Sequence, residues 1–313
     1  MYKHHIMITG VSGDIGYSCV KALFEEQCYK LYGIDMSPLC PVRHLLETFK
    51  VVPPVASADY LEIISSLIKK YDIEVFLPTS EAEILFIDNN REFFSKLNCK
   101  LAINNKDIVE NFSSKYKTAS FIIRNGFKAP ETYLLSKFKM QLPYPFIVKP
   151  DFGCGSKSIY LIKSNEDFEA INKSDTAYIV QRYLPNENEE YTSSVFSDGK
   201  TITTVTFRRK LKNGLSFFVE LVKSPYMENL GKKIAPLVNL HGSINIQSRK
   251  LNNEHFIFEI NPRLSSTVFF RNMIGFKDAH WWIQSLLGVQ VDNFALTKHR
   301  FIGLRYFSEI QFE

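Results

Sequence analysis

Phe256-Ile257-Phe258-Glu259-Ile260-Asn261-Pro262-Arg263 decides how this chain is read. Successive residues of a strand face opposite sides, so Glu259 and Asn261 are expected on one face and Phe258 and Ile260 on the other. Two oxygen donors then stand together where a buried strand ends. Pro262 cannot continue the ladder, and Arg263 leaves it as a permanent cation. Carboxylate and amide oxygens suit Mg²⁺, above all where the phosphates of a nucleotide supply its remaining ligands. The pattern proposes a metal–nucleotide site.

The preceding run agrees. Ser243-Ile244-Asn245-Ile246-Gln247-Ser248-Arg249 alternates, and Leu251-Asn252-Asn253-Glu254 has turn composition, so the two runs read as an antiparallel hairpin. Asn245, Gln247 and Arg249 share one face. The sequence leaves the register open, but coincident polar faces would set Gln247, Glu259 and Asn261 around one point. The competing reading is an edge hairpin with a wetted polar side. Asn inside a strand and the Pro-Arg exit both weigh against it.

The 313 residues suffice for a substantial core and two or three subdomains, and 45% hydrophobic with 23% charged is an ordinary globular balance. The net charge of +5 is spread along the chain, which suits anionic small molecules and gives little reason to expect nucleic acid. Five scattered cysteines with no CxxC pair argue against a disulfide framework or a zinc site and for a reducing compartment. No signal sequence is evident and no apolar run reaches membrane-spanning length. A cytoplasmic enzyme with no membrane partner is the expectation.

The first hundred residues alternate strand and helix: a strand over 5–9, a glycine-rich turn at Gly10-Val11-Ser12-Gly13-Asp14-Ile15-Gly16, a helix over 17–26 and a strand over 30–35. An amphipathic helix over 60–71 and a buried strand over 74–78 continue the pattern, which implies a parallel, Rossmann-like sheet. Asp35 ends the second strand, where a dinucleotide fold grips a ribose. The turn either binds a ligand or merely permits tight strand-to-helix packing. No Tyr-x-x-x-Lys stands on a suitable helix downstream, which makes an epimerase or reductase remote. A helical stretch over 106–125 leads into a half richer in strands, at 146–149, 159–162, 177–181, 191–196, 202–207 and 216–222, with helices around Phe168 and over 227–237. That half reads as α+β with antiparallel sheets.

Phe146-Ile147-Val148-Lys149-Pro150 puts a lysine at the end of an apolar strand, where a buried ammonium needs an anion or loses its proton. The loop Asp151-Phe152-Gly153-Cys154-Gly155-Ser156-Lys157-Ser158 follows, and its backbone N–H groups can form an anion nest, although a plain turn uses the same residues. Tyr178 to Pro185 is an apolar strand entering a polar hinge, with Glu187, Glu189 and Glu190 beyond it.

In this order, Lys115, the 146–150 strand with its Gly-Cys-Gly-Ser loop, Val180-Gln181-Arg182-Tyr183-Leu184, Glu190, Gln247 and Glu259-Ile260-Asn261-Pro262-Arg263, the chain resembles the ATP-grasp superfamily, most nearly the carbamoyl phosphate synthetase large-subunit type. The likeness runs over essentially the whole chain. It implies a Rossmann-like pre-ATP-grasp domain at 1–105 that binds no dinucleotide. An α+β ATP-grasp domain at 106–313 would follow, divided into 106–182 with the lid loop and 183–313 with the metal site. It also implies that Lys115 and Lys149 contact ATP phosphates and that the loop holding Gly153, Gly155 and Ser156 closes over them. Gln181, Tyr183 and Leu184 would line the adenine hinge and Glu190 would take the ribose. Gln247, Glu259 and Asn261 would bind Mg²⁺, or Mn²⁺ in its place, and Arg263 with Lys149 would steady the transferring phosphoryl group. Three positions depart from the pattern: Ser158 stands where a glycine is usual, Arg182 where the hinge often has an acid, and Gln247 where many members have an acidic ligand.

The implied reaction activates a carboxylate as an acyl phosphate, which an amine then attacks, with ATP cleaved to ADP and phosphate. Small-molecule acids and amines are the expected partners, and a homodimer is compatible with the rest. Arg271 and His241 are candidates for gripping a substrate carboxylate, against a structural role for each. The pairs Phe269-Phe270 and Trp281-Trp282 are most simply core. Bicarbonate activation and a non-catalytic nucleotide-binding protein are the alternatives.

Overall fold

Hydrophobic alternation builds three sheets, seen in a computed structural model that describes residues 3–153, 158–171, 177–185, 189–291 and 294–306. The first comprises β1 (His4–Thr9), β2 (Tyr29–Asp35), β3 (Thr48–Val51), β4 (Val75–Leu77) and β5 (Lys100–Leu101), in the order β3-β2-β1-β4-β5. All its pairings are parallel, with helices Asp14–Glu25, Tyr60–Lys70 and Glu81–Asn89 supplying crossovers. The order reverses at β1, which opens a crevice beyond the ends of β1 and β4.

The glycine turn there is a packing device. The helix expected over 17–26 begins earlier, at Asp14, and takes Gly16 inside it. A Cβ on Gly16 would lie 2.2 Å from the Gly10 carbonyl oxygen, so only glycine lets helix and turn approach this closely. The Asp35 carboxylate is committed to its own chain, accepting from the N–H groups of Ser12 and Ser37 at 2.8 Å each. Beneath the turn, Thr9 and Tyr60 donate their hydroxyls to Glu83, a carboxylate whose burial pushes its pKa up to about 7.

The second sheet is antiparallel: β6 (Thr132–Leu134), β7 (Phe146–Pro150), β8 (Tyr160–Ile162) and β9 (Tyr178–Arg182), in the order β6-β9-β7-β8. Phe146, Val148, Phe168 and Val180 pack beneath it. The third holds β10 (Glu190–Ser197), β11 (Ile202–Lys212), β12 (Leu215–Val222), β13 (Gly242–Leu251), β14 (Glu254–Asn261) and β15 (Ile302–Leu304), in the order β14-β13-β10-β11-β12-β15. One face buries Ile244, Ile246 and Ile260 against helix Pro225–Leu237 and the helices before β6. The other buries Phe196 and Phe207 with Trp281, Trp282 and Phe270 in a cluster that continues to Ile6 and Ile8 of β1. The aromatic pairs at 269–270 and 281–282 thus contribute to the core that joins the first and third sheets.

The helical stretch over 106–125 is two helices, Lys106–Phe112 and Lys115–Arg124, broken at Ser113-Ser114. Asp151 explains the break. Its Oδ2 accepts from Ser114 Oγ and its Oδ1 from the Tyr116 N–H, each at 2.8 Å, so the acid after β7 caps the second helix. Lys115 is thereby fixed beside the start of the loop.

Candidate functional site

The second and third sheets enclose a cleft of about 930 Å³, lined from β7, β9, β10, β11, β13 and β14 and the segments that follow β7, β9 and β14. Gln247 lies opposite Glu259 and Asn245 opposite Asn261, so the polar faces of the hairpin coincide. The alternation predicted for β14 fails at one residue. Ser248 pairs with Ile257, which leaves Phe258 as an extra residue in a β-bulge. Phe258 therefore lines the cleft while Ile260 stays in the core. Lys149 Nζ and the Arg249 guanidinium sit over its ring, 5.6 and 5.7 Å from the centroid.

Lys149 is 5% exposed and has no hydrogen-bond acceptor among the described residues. Burial lowers its pKa to about 8, with Glu259 the main opposing influence. An ammonium held this way is ready for an anion. Lys115 Nζ donates to the carbonyls of Asp151 (3.2 Å) and Gly153 (2.8 Å) and lies 3.9 Å from Glu259 Oε1. It ties the loop to β14. Arg263 Nη2 donates to Asn261 Oδ1 at 3.3 Å and Nη1 to the Leu264 carbonyl at 3.0 Å, while its buried Nε has no partner among the described residues.

At the other end, Gln181, Tyr183 and Leu184 line the cleft where β9 ends. Gln181 Nε2 donates to Thr132 Oγ1 at 2.8 Å, and the Leu184 carbonyl accepts from Arg249 Nη1 at 2.8 Å. Glu190 also lines the cleft, but its oxygens are held by Arg209 and Arg249. Gly153 lines the cleft, whereas Gly155 and Ser156 lie outside the described residues.

Glu259, Asn261 and Gln247 present one carboxylate and two amide oxygens, the hard donors that Mg²⁺ takes. Among the described residues no three His, Cys, Asp or Glu side chains cluster for a metal, so phosphate oxygens would have to complete the coordination. Asn245, 1% exposed and beside them, keeps Oδ1 without a partner while its Nδ2 donates to Thr192 Oγ1. The donor set fits a metal brought in with a nucleotide.

Two expected substrate residues are elsewhere. Arg271 is 1% exposed; its guanidinium grips Asp278 through Nε and Nη2 and gives Nη1 to Ser265 and Thr267. It faces the interior because a buried carboxylate awaits it there. His241 is exposed, donates from Nε2 to Asn239 Oδ1 at 3.2 Å and packs on Gly199, at the end of β13 remote from Gln247. Neither lines the cleft.

Sequence reasoning missed Glu81 and Arg209 and gave Asn245 no role. Glu81 comes from the first domain. Its carboxylate accepts from the Gly153 N–H at 3.3 Å and is pushed above its ordinary pKa by burial, against the pull of Arg263 and Lys115. In the sequence it stands in Ser80-Glu81-Ala82-Glu83, an ordinary helix start in which Ser80 caps the Glu83 N–H. Asn245 was placed on the right face by alternation. Arg209 lies in a basic strand with no distinguishing signal.

Residues 112–267 match the ATP-grasp domain model and residues 6–102 the PylC-like N-terminal domain model. The chain belongs to the ATP-grasp superfamily. It is 22% identical over 289 residues to the carbamoyl phosphate synthase large chain of Thermoplasma volcanium, covering 83% of this chain and 27% of that one. The chain thus spans about a quarter of that relative's length. Among solved structures, N5-carboxyaminoimidazole synthetase from Staphylococcus aureus complexed with ADP superposes with a TM-score of 0.76 at 17% identity, over 95% of this chain and 81% of that one. The biotin carboxylase domain dimer of Hydrogenobacter thermophilus 2-oxoglutarate carboxylase, with MgADP and bicarbonate, gives 0.74 at 13% identity, over 92% and 70%. These likenesses concern the fold.

Proposed function

We propose that the chain is an ATP-dependent ligase that activates a carboxylate as an acyl phosphate for attack by an amine. One observation carries this reading: Lys115, Lys149 and the stretch holding Glu259, Asn261 and Arg263 come from three separate segments and converge on one cleft, whose far end is lined by the hinge from Gln181 to Leu184. Phosphoryl transfer asks little of a protein beyond positioning and charge neutralisation, which is what such a set supplies. Lys149 and Lys115 hold phosphate charge, Gln181 to Leu184 line the adenine end, and Glu190 stands on the ribose side. Glu259, Asn261 and Gln247 would hold Mg²⁺ or Mn²⁺, which when bound supplies neutralisation of phosphate oxygens. Arg263, buried with an N–H that has no partner among the described residues, takes the charge that grows on the transferring group and the acid. The loop holding Gly153, Gly155 and Ser156 is assigned as the lid.

Residues 1–105 form the pre-ATP-grasp domain in this reading and 106–313 the ATP-grasp domain, divided after residue 182. Small acids and amines are its partners, it acts in the cytoplasm, and a homodimer is compatible with this reading. Among the described residues no helix is long and apolar enough to cross a membrane. A second reading, activation of bicarbonate, is supported by the relatives named carbamoyl phosphate synthase and by the bicarbonate bound in the carboxylase domain. The deciding experiment measures phosphate release from ATP with pools of carboxylates and amines and, in parallel, with bicarbonate. Release that needs a carboxylate–amine pair supports the first reading. Release with bicarbonate alone supports the second, and none in any arm favours a non-catalytic protein.

A further inference from the structure

The cleft holds a cation that the motifs do not announce. Arg209, on β11, is 7% exposed, and its guanidinium is spent on the site itself. Nε and Nη2 donate to Glu190 Oε1 at 3.0 and 2.8 Å, and Nη2 also donates to Gln247 Oε1 at 2.7 Å. The other Glu190 oxygen accepts from Nε and Nη2 of Arg249 at 3.0 and 2.9 Å. A carboxylate has about four acceptor positions. All four are in use, so none is left for a ribose hydroxyl while both arginines stay in place.

The three metal-directed oxygens are therefore unequal. Asn261 accepts only a long bond of 3.3 Å from Arg263, and Glu259 lies 3.9 Å from Lys115. Gln247 has a short, charge-assisted bond from a buried guanidinium. A divalent ion on that same oxygen would stand beside a like charge in a poorly solvated place, where repulsion is strong.

We propose that Arg209 is a positioning residue that masks Gln247 from metal in the nucleotide-free protein and uncovers it when a nucleotide's phosphates draw the guanidinium away. The same movement frees one oxygen of Glu190 for the ribose. This rests on the reading of the cleft as a metal–nucleotide site and adds an order of events to it. Guanidinium pairs bidentately with phosphate, so the incoming anion offers Arg209 an equivalent partner. Metal binding at Gln247 is then coupled to nucleotide, while Glu259 and Asn261 accept metal in either state.

Mn²⁺ binding to the full chain, followed by the electron paramagnetic resonance of the free ion, tests this with and without a fixed excess of ADP. Gln247→Met should leave Mn²⁺ affinity unchanged without ADP and lower it at least about fivefold with ADP, the lower range of measured couplings. Arg209→Met should raise affinity without ADP by a similar factor. Equal weakening of Gln247→Met in both conditions overturns the proposal, as does an Arg209→Met protein that folds and binds Mn²⁺ like wild type. If Arg209→Met fails to fold, the Gln247→Met pair decides alone. Calorimetry showing that wild type binds no ADP would instead overturn the nucleotide reading itself.

Discussion

Asp151 and Ser114 lock the segment after β7 to the helix that carries Lys115, through the 2.8 Å bond from Ser114 Oγ to Asp151 Oδ2. Asp151 also takes the Tyr116 N–H, so one carboxylate caps a helix and fixes a lysine. Asp151→Ala should lower stability by about 1–2 kcal/mol, the usual cost of a lost cap. It should also weaken nucleotide binding by releasing Lys115. Urea unfolding and calorimetry with ADP check both effects, and an unchanged ADP affinity would separate Lys115 from the site.

Lys149 gives a pH signature. Burial holds its pKa at about 8, and phosphate favours the ammonium, so nucleotide affinity should be flat below pH 7 and fall as pH rises through 8. The fall should reach at most about tenfold per pH unit, since one proton is involved. Lys149→Met should bind nucleotide more weakly at every pH and lose that fall. Calorimetry in two buffers of different ionisation heat would also show proton uptake near pH 8 in the wild type alone.

The bulged ring beneath two cations makes a third expectation. Phe258→Leu keeps an apolar side chain but removes the aromatic face under Lys149 and Arg249, and should weaken ADP binding by about 0.5–2 kcal/mol. Phe258→Tyr should bind as wild type does. Equal affinities for the leucine and tyrosine variants would show that the ring face contributes nothing.

Glu83 links stability to pH in the first domain. Its folded pKa, about 7, lies above the unfolded value of 4.5, so the folded protein binds more protons between these limits. Stability from this group is full below pH 4.5 and declines as pH rises to 7, by about 3 kcal/mol in all. Chemical denaturation at pH 5 and pH 8 should show a smaller drop in Glu83→Gln than in wild type. An identical drop would remove Glu83 as its source.

Much of this was legible because it is local. The alternation in β13 and β14, the apolar run before Lys149 and the strand–helix rhythm of the first domain each lie within a few consecutive residues. What escaped depends on distant contacts. The bulge at Phe258 is a property of the pairing between two strands, and alternation alone sends that ring into the core. At the break Ser114 caps the Lys117 N–H locally, but the second cap on the Tyr116 N–H comes from Asp151, 35 residues later. Arg271 looked available because Asp278, its buried partner, gives no sign in the sequence of facing inward. Glu81 resembled any acid in a first helical turn, and only the folding of the first domain against the loop gives it another neighbour.

The most direct measurement is a crystal structure of the protein with Mg²⁺ and a non-hydrolysable ATP analogue. The account predicts the triphosphate between Lys149, Lys115 and Arg263, with Mg²⁺ on Glu259, Asn261 and the uncovered Gln247. It also predicts the adenine against the Gln181 to Leu184 segment. An analogue bound at the glycine turn of the first domain, or a cleft without it at saturating concentration, would contradict the account.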